Sequence, residues 1–381
     1  MRAGVGVNLL WLVPGAVGGS EEYAVRLLGA VAEDPPPDLD ITLFALPSLL
    51  RSHPGLAERF PTVAAPVDGA RRWMRVAAET SWLAAAARRR HLGLVHHLGG
   101  TVPLLRGVPA VVTIHDLQPL HHPEHFSPVK RAWLRTILPW SVRAARMVVA
   151  VSRFTAADVV DRLGVAADRV RVVPHGAATA PTVGPGEVAR VQALLGLGRR
   201  WFVYPAVTWP HKNHGVILRA FATVAGRDPD VSLVLTGGRG PSEAVVSGTI
   251  ATLGLGDRVR RTGRIPRADL DAVIAGATAL TFPSSFEGFG APVVEAMAAG
   301  CPVVAARATS LPEVVGDAGI LLDPDAPGEW ADTMVDLLTN EDRRARLAEA
   351  GRARVADMGW DRSAAALVDV WRHALAPSSG P

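Results

Sequence analysis

Lysine is nearly missing from this chain: of 40 basic residues only Lys130 and Lys212 are lysines, and the rest are arginines. The net charge of +4 and an isoelectric point near 9.9 favour anionic ligands or surfaces without naming one. Cysteine is reduced to Cys301, which excludes an internal disulfide framework and agrees with a reducing compartment. Set between Gly300 and a strand, it reads as packing. Long apolar runs are absent too. No uninterrupted stretch reaches the ~18 residues of a spanning helix, so none is expected. The run from Met1-Arg2 to Gly19 imitates a signal peptide in composition, yet it reads equally well as a buried strand closing on a Gly-rich turn. The expected setting is cytoplasmic, with peripheral contact at the inner face of a membrane left open.

What is present is core material. The 381 residues, 49% of them hydrophobic, suffice for two or three domains, and two large α/β halves fit best. Strands are expected at 5–13, 41–46, 94–97, 110–114, 147–151 and 170–176 in the first half. In the second they are expected at 201–207, 231–236, 259–265, 279–282, 303–306 and 320–322. Their alternation with helices predicts doubly wound parallel sheets. Ser20 can cap a helix that has Glu21 and Glu22 in its first turn. Further helices are expected over 70–91, over 128–146 with Pro139 kinking or dividing it, and from Ser152 to Gly164. The stretch 177–186 has the Ala, Thr, Pro and Gly content of a linker, which places domains at 1–180 and 187–359, with a last helix at 360–375.

Strand-to-helix turns carry the chemistry. Gly15, Gly18 and Gly19 follow the first strand in a spacing unlike Gly-x-Gly-x-x-Gly. Lys212, in Pro210-His211-Lys212-Asn213, stands where an anionic ligand would approach the next domain. His115, in Thr113-Ile114-His115-Asp116-Leu117, directly follows a strand, where open parallel sheets bind ligands; simple strand capping is the alternative. Phe282 to Gly300 is the most informative stretch: the end of a buried strand, a loop with Glu287, Phe289 and Gly290, then a helix with Pro292 in its first turn and Glu295 inside it. The loop glycines admit a ligand close to backbone amides, and the helix dipole adds positive potential for a phosphate. If both were helical, Glu287 and Glu295 would lie ~12 Å apart along the axis. That exceeds the roughly 5 to 9.5 Å of a glycosidase pair. Two carboxylates around an anion site suit a ligand hydroxylated at both ends and phosphorylated in the middle, which is the shape of a nucleotide sugar.

Glu287-Gly288-Phe289-Gly290 through Glu295 to Val304 resembles the signature of the retaining group 1 (family 4) glycosyltransferases, which include bacterial mannosyltransferases. The segments 111–117 and 203–215 resemble the catalytic-histidine and phosphate-site segments of the same family. The resemblance implies two Rossmann-like domains facing each other across a cleft, the GT-B architecture, with the last helix returning to the first domain. It implies that Glu295 binds ribose hydroxyls, Glu287 a sugar hydroxyl, Phe289 and Gly290 the phosphates through their amides, and Lys212 the departing diphosphate. His115 would orient the transferred sugar and support its developing positive charge. The turn at Gly18 and Gly19 would lie against the donor's diphosphate or the acceptor. A mannose-like or glucose-like hexose would pass from a nucleoside-diphosphate sugar to a saccharide, lipid-linked or small-molecule acceptor, without a metal or other cofactor.

The chain departs from the family where many relatives carry a Gly-Arg pair, since Pro205-Ala206-Val207 stands there. Arg153 and Arg264 are the candidates for the missing cation. His121, His122 and His125 invite a zinc reading, against which stands Pro123, expected to keep them off one helical face. Asp38/Asp40, Asp228/Asp230, Asp269/Asp271 and Asp323/Asp325 read as turns or helix starts and not as metal ligands. Arginines beside Trp133 and Trp140 in 128–146 suit either weak contact with an anionic membrane or a plain amphipathic helix. Nucleic acid is not an expected partner. The alternatives are a sugar-nucleotide epimerase or a phosphorylase on the same plan, or a non-catalytic sugar-nucleotide-binding protein.

Overall fold

The computed structural model describes residues 2–16, 18–177 and 182–377, so positions 178–181 of the expected linker lie outside the described residues. The chain forms two units. One comprises the residues up to Gly176 together with the helix from Trp360; the other is Ala177–Gly359.

Seven parallel strands build the first sheet: β1 (Ala3–Leu9), β2 (Leu39–Ala45), β3 (Thr62–Ala64), β4 (Leu94–His97), β5 (Ala110–Ile114), β6 (Met147–Ala150) and β7 (Val170–Val172). Their order is β3-β2-β1-β4-β5-β6-β7. The order reverses between β1 and β4, where Val5 faces Leu94, and open sheets of this kind bind ligands at such a reversal. Strands β4, β5 and β6 are buried throughout, because helices cover both sheet faces, so none of them alternates between buried and exposed positions. The helix Trp360–Leu375 belongs to this unit. It buries Leu367, Val368 and Trp371, and the Trp371 indole donates to His96 Nδ1 at 3.1 Å. His96 in turn meets Thr113 Oγ1 through Nε2 at 2.8 Å, so this buried histidine fastens helix to sheet.

The second sheet has six strands: β8 (Arg200–Pro205), β9 (Val231–Thr236), β10 (Val259–Gly263), β11 (Ala279–Phe282), β12 (Val303–Ala306) and β13 (Ile320–Leu322). Their order, β10-β9-β8-β11-β12-β13, repeats the winding of the first sheet, with the reversal between β8 and β11.

Local details depart from the sequence reading. Ser20 does not cap its helix, which starts at Gly19 after Gly18 at φ 61°; Glu21 instead accepts from the Gly15 amide at 2.8 Å. Pro139 does not divide its helix, which runs unbroken over Pro128–Ala144. The helical stretch expected over 70–91 has a π-helical turn at Glu79–Leu83 between Arg72–Ala78 and Ala84–Arg89. The linker-like stretch ends in a helix, Pro185–Leu195, whose Gly184 amide donates to Glu187 at 2.8 Å.

Candidate active site

In the second unit, the loops after β8 and β11 meet at the reversal of strand order. After β8, Pro210–Lys212 forms a 3-10 turn, and Asn213 at φ 53° starts the helix His214–Arg227. After β11, Pro283–Gly290 leads into the helix Ala291–Ala298 through Gly290 at φ 100°, a conformation that side chains disfavour. The loops are tied together: the His211 carbonyl accepts from the Ser285 amide at 2.8 Å and from the Ser284 and Ser285 hydroxyls at 3.2 and 3.1 Å. Behind them, Ser310 donates to the carbonyls of Glu287 and Phe289, and Thr309 accepts from the Glu287 amide.

This scaffold pairs Lys212 with Glu287. Lys212 Nζ also lies 5.6 Å from the Phe282 ring centre, and its carbonyl accepts from the Tyr204 hydroxyl, a group whose pKa burial raises well above the usual value. Glu295, in the following helix, pairs with Arg267 at 3.2 Å, and Arg267 is shared with Asp271 at 2.8 Å. Lys212, Glu287, Phe289, Gly290 and Glu295 are thus gathered in one unit. Arg264 lies against Gly238 in the same unit, whereas Arg153 belongs to the first.

Sequence reasoning passed over the neighbouring hollow of about 260 Å³ beyond β8, β9 and β10, lined by Gly237, Gly238, Arg239, Arg261 and His214. Gly237 has φ 125°, and a Cβ there would meet the Ala206 carbonyl oxygen at 2.6 Å. The signal was Thr236-Gly237-Gly238-Arg239-Gly240, a glycine-rich turn directly after a strand. Arg261 pairs there with Glu243.

The first unit holds His115, Gly18 and Gly19. His115 follows β5, is packed by Tyr23 edge-on at 5.4 Å, and its Nε2 is 2.8 Å from the Leu98 carbonyl. A carbonyl only accepts, so Nε2 carries the proton and Nδ1 is the acceptor. Burial lowers the His115 pKa to about 4, which keeps the ring neutral at pH 7. It lines a cavity of about 780 Å³ at the β1/β4 reversal. Gly18 and Gly19 open the helix Gly19–Glu33, with open space where their Cβ atoms would stand.

Pro123 does not keep the histidines apart. Pro123 starts a 3-10 turn that brings His122 and His125 together, rings 5.0 Å apart, and with Glu124 their donor atoms lie within 4.8 Å of one another. His121 turns away to Asp158 at 2.7 Å. Among the Asp-x-Asp triplets, Asp38, Asp40, Asp228, Asp269 and Asp271 pair with arginines, and Asp323 holds the Asp325 amide in a turn. Cys301 is buried, its thiol pKa pushed up to about 12 by that burial, so it packs without reacting.

Two doubly wound units of this kind define the GT-B class of glycosyltransferases. Solved structures share the fold: Anabaena Alr3699/HepE in complex with UDP and glucose superposes with a TM-score of 0.76 at 21% identity, over 98% of this chain and 100% of that one. Sucrose-phosphate synthase from Thermosynechococcus elongatus gives 0.77 at 20% identity, over 98% and 99%. The profile of "Glycosyl transferases group 1" matches residues 187–354, and that of "Glycosyltransferase Family 4" matches 17–180. D-inositol 3-phosphate glycosyltransferase of Salinispora arenicola is 31% identical over 95% of this chain and 88% of its own length. O-antigen chain mannosyltransferase B of Escherichia coli is 27% identical over 69% of this chain and 70% of its own. This chain belongs to the group 1 glycosyltransferases, which act on sugar-nucleotide donors.

Proposed function

We propose that the chain transfers a hexose from a nucleoside-diphosphate sugar to a hydroxyl acceptor with retention of anomeric configuration, and that it needs no resident metal. The observation that carries this reading is the Lys212–Glu287 pair, placed on the two loops that flank the β8/β11 reversal. A diphosphate arriving at the amides of Phe289 and Gly290 draws Lys212 towards itself and releases Glu287 for a sugar hydroxyl. Glu295 exchanges its contact with Arg267 for ribose hydroxyls in the same way. The C1–O bond to the diphosphate breaks while the acceptor oxygen bonds C1 on the same face, and the acceptor proton passes to the leaving phosphate. Lys212 meets charge that grows as that bond breaks, which is where fixed cations act most strongly. Neutral His115, its Nε2 proton committed to Leu98, orients the sugar and supports the positive charge that develops on it.

The acceptor is assigned to the first unit's own cavity, which His115 lines. Among the described residues no helix is long and apolar enough to cross a membrane. Weak contact with an anionic bilayer is supported by Trp73, Val129, Trp133 and Trp140, which are 37% to 82% exposed beside arginines.

Titration of UDP, GDP and the matching sugar nucleotides against Glu295→Ala and Glu287→Ala tests the assignment. Glu295→Ala weakens the nucleoside diphosphate itself, and Glu287→Ala mainly the sugar-bearing donor. Equal losses in both variants remove the division of roles, and a product of inverted configuration refutes the reaction type.

A further inference from the structure

Three side chains of ligand type that the donor site does not use stand together on the turn between the short helix Gln118–His121 and the helix Pro128–Ala144. Glu124 Oε1 is 3.2 Å from His122 Nδ1 and 3.7 Å from His125 Nε2, and the two imidazole planes are only 13° apart. The second distance is past hydrogen-bond reach, and the first is at its long end. Both suit one ion held in common: with bonds of about 2.0–2.2 Å at tetrahedral angles, neighbouring donor atoms stand about 3.4 Å apart. One donor atom from each residue lies within 4.8 Å of the others, so small side-chain rotations close the set. The backbone beneath is already fixed. Pro123 sets φ at the start of the turn, and the His125 and Phe126 amides donate to the carbonyls of His122 and Pro123 at 3.1 and 3.2 Å. Leu120 and Phe126, on either side, pack against the core of the first unit. His121 is taken by Asp158, which Arg162 also holds at 2.8 Å, so a fourth position is left to water. Glu124 is 62% exposed, His122 32% and His125 13%, which gives an ion a path from solvent.

We infer that His122, Glu124 and His125 form a binding site for one divalent transition-metal ion of the zinc type, with water in the fourth position. Two imidazoles and a single carboxylate select zinc, copper or nickel over magnesium and calcium, which need more oxygen ligands. The ion acts on the fold and takes no part in the proposed transfer. The turn joins the segment after His115 to the helix that carries Lys130 and Trp133, and all three of these residues line the first unit's cavity. An ion that cross-links the turn therefore stiffens the connection between two walls of that cavity.

The test uses the full chain without an affinity tag, stripped of metal by chelator and dialysed. Cobalt(II) is titrated in and followed by its visible absorption, and zinc by calorimetry and by melting. One cobalt binds per chain with the intense bands of a four-coordinate site; zinc displaces it one for one, and magnesium does not. At about a hundredfold excess over its Kd, zinc raises the Tm by about 5–10 °C. Glu124→Gln, at the most exposed of the three, weakens both metals by at least the roughly 10 to 100-fold that loss of an outer-shell partner costs. His122→Ala/Glu124→Gln abolishes the four-coordinate spectrum, whereas His373→Ala, at an exposed histidine on the last helix, leaves it unchanged. An unchanged Tm of the metal-free variants shows that they are folded. Cobalt that keeps the spectrum of its aqua ion, or binding equal in the double variant, overturns the inference and leaves only adventitious contact with surface histidines. A Tm that bound zinc does not move overturns its action on the fold. Failure of the donor assignment leaves the cobalt spectrum as it is, so the two readings fail separately.

Discussion

Replacing Lys212 by alanine separates two jobs of one ammonium, the pairing with Glu287 that the structure shows and the proposed contact with the leaving diphosphate. At rest it holds Glu287, and the side chains are 18% and 13% exposed. At an effective dielectric of about 20, contact charges attract by about 4 kcal/mol, and desolvation of both ions takes back much of that. The stranded Glu287 carboxylate therefore costs ~1–3 kcal/mol, the range for a buried group that loses its partner. For a unit of this size that is a fall of roughly 5 °C in Tm. The catalytic loss is larger. If Lys212 neutralises the leaving diphosphate, its removal slows the chemical step by ~10²–10³-fold, with a smaller change in donor affinity. Lys212→Ala/Glu287→Gln then recovers stability without recovering rate, because the carboxylate is gone and the cation is still missing. Single-turnover transfer at saturating donor, beside calorimetric donor titration, reads both effects. An undiminished chemical step in Lys212→Ala refutes the assignment and moves attention to Arg264, Arg261 and Arg239.

Buried neutral histidines make the first unit acid-sensitive: burial lowers His96, His97 and His175 to about 3 and His115 to about 4. The unfolded chain binds their protons from about pH 6.5, so their stability contribution is complete above that pH and drains as pH falls towards 4; thermal melts between pH 7 and 5 should show the decline. Glu79 has the opposite sign, since burial raises it to about 7: its contribution is present below about pH 4.5 and lost as pH rises through 7, so Glu79→Gln should stabilise at pH 8 and not at pH 4.5. Gly237→Ala should be worse than Gly290→Ala, because its Cβ meets the backbone oxygen of Ala206 while that at Gly290 meets the movable end of Leu311; about 1–3 kcal/mol of strain at each is expected, and donor titration and melting rank them. EDTA should leave transfer largely intact, and activity lost with chelator and restored by manganese or zinc would assign His122, Glu124 and His125 a working metal.

Local signals gave the sequence most of its legibility. The runs at 94–97, 110–114, 231–236, 279–282, 303–306 and 320–322 are strands with those same limits, since a parallel strand covered by helices is mostly apolar along its length. Ser152 caps its helix through the Thr155 amide, and Gly164 ends it at φ 65°, because caps are decided within a few residues. The Glu287 to Glu295 spacing was legible for the same reason. What the sequence did not disclose depends on partners distant along the chain. The three-residue β3 exists only because β2 offers it an edge, and Pro139 is absorbed in a helix that packs against its own sheet. Pro123, read as a breaker, brings His122 and His125 together, since a 3-10 turn sets positions three apart on one side. Tertiary structure alone decided that Lys212 meets Glu287 across 75 residues, that Arg267 meets Glu295, and that Arg72 and Lys130 line one cavity with Glu79 and Asp116. Such charges carry no periodicity, and only the winding order of the two sheets brings their loops together.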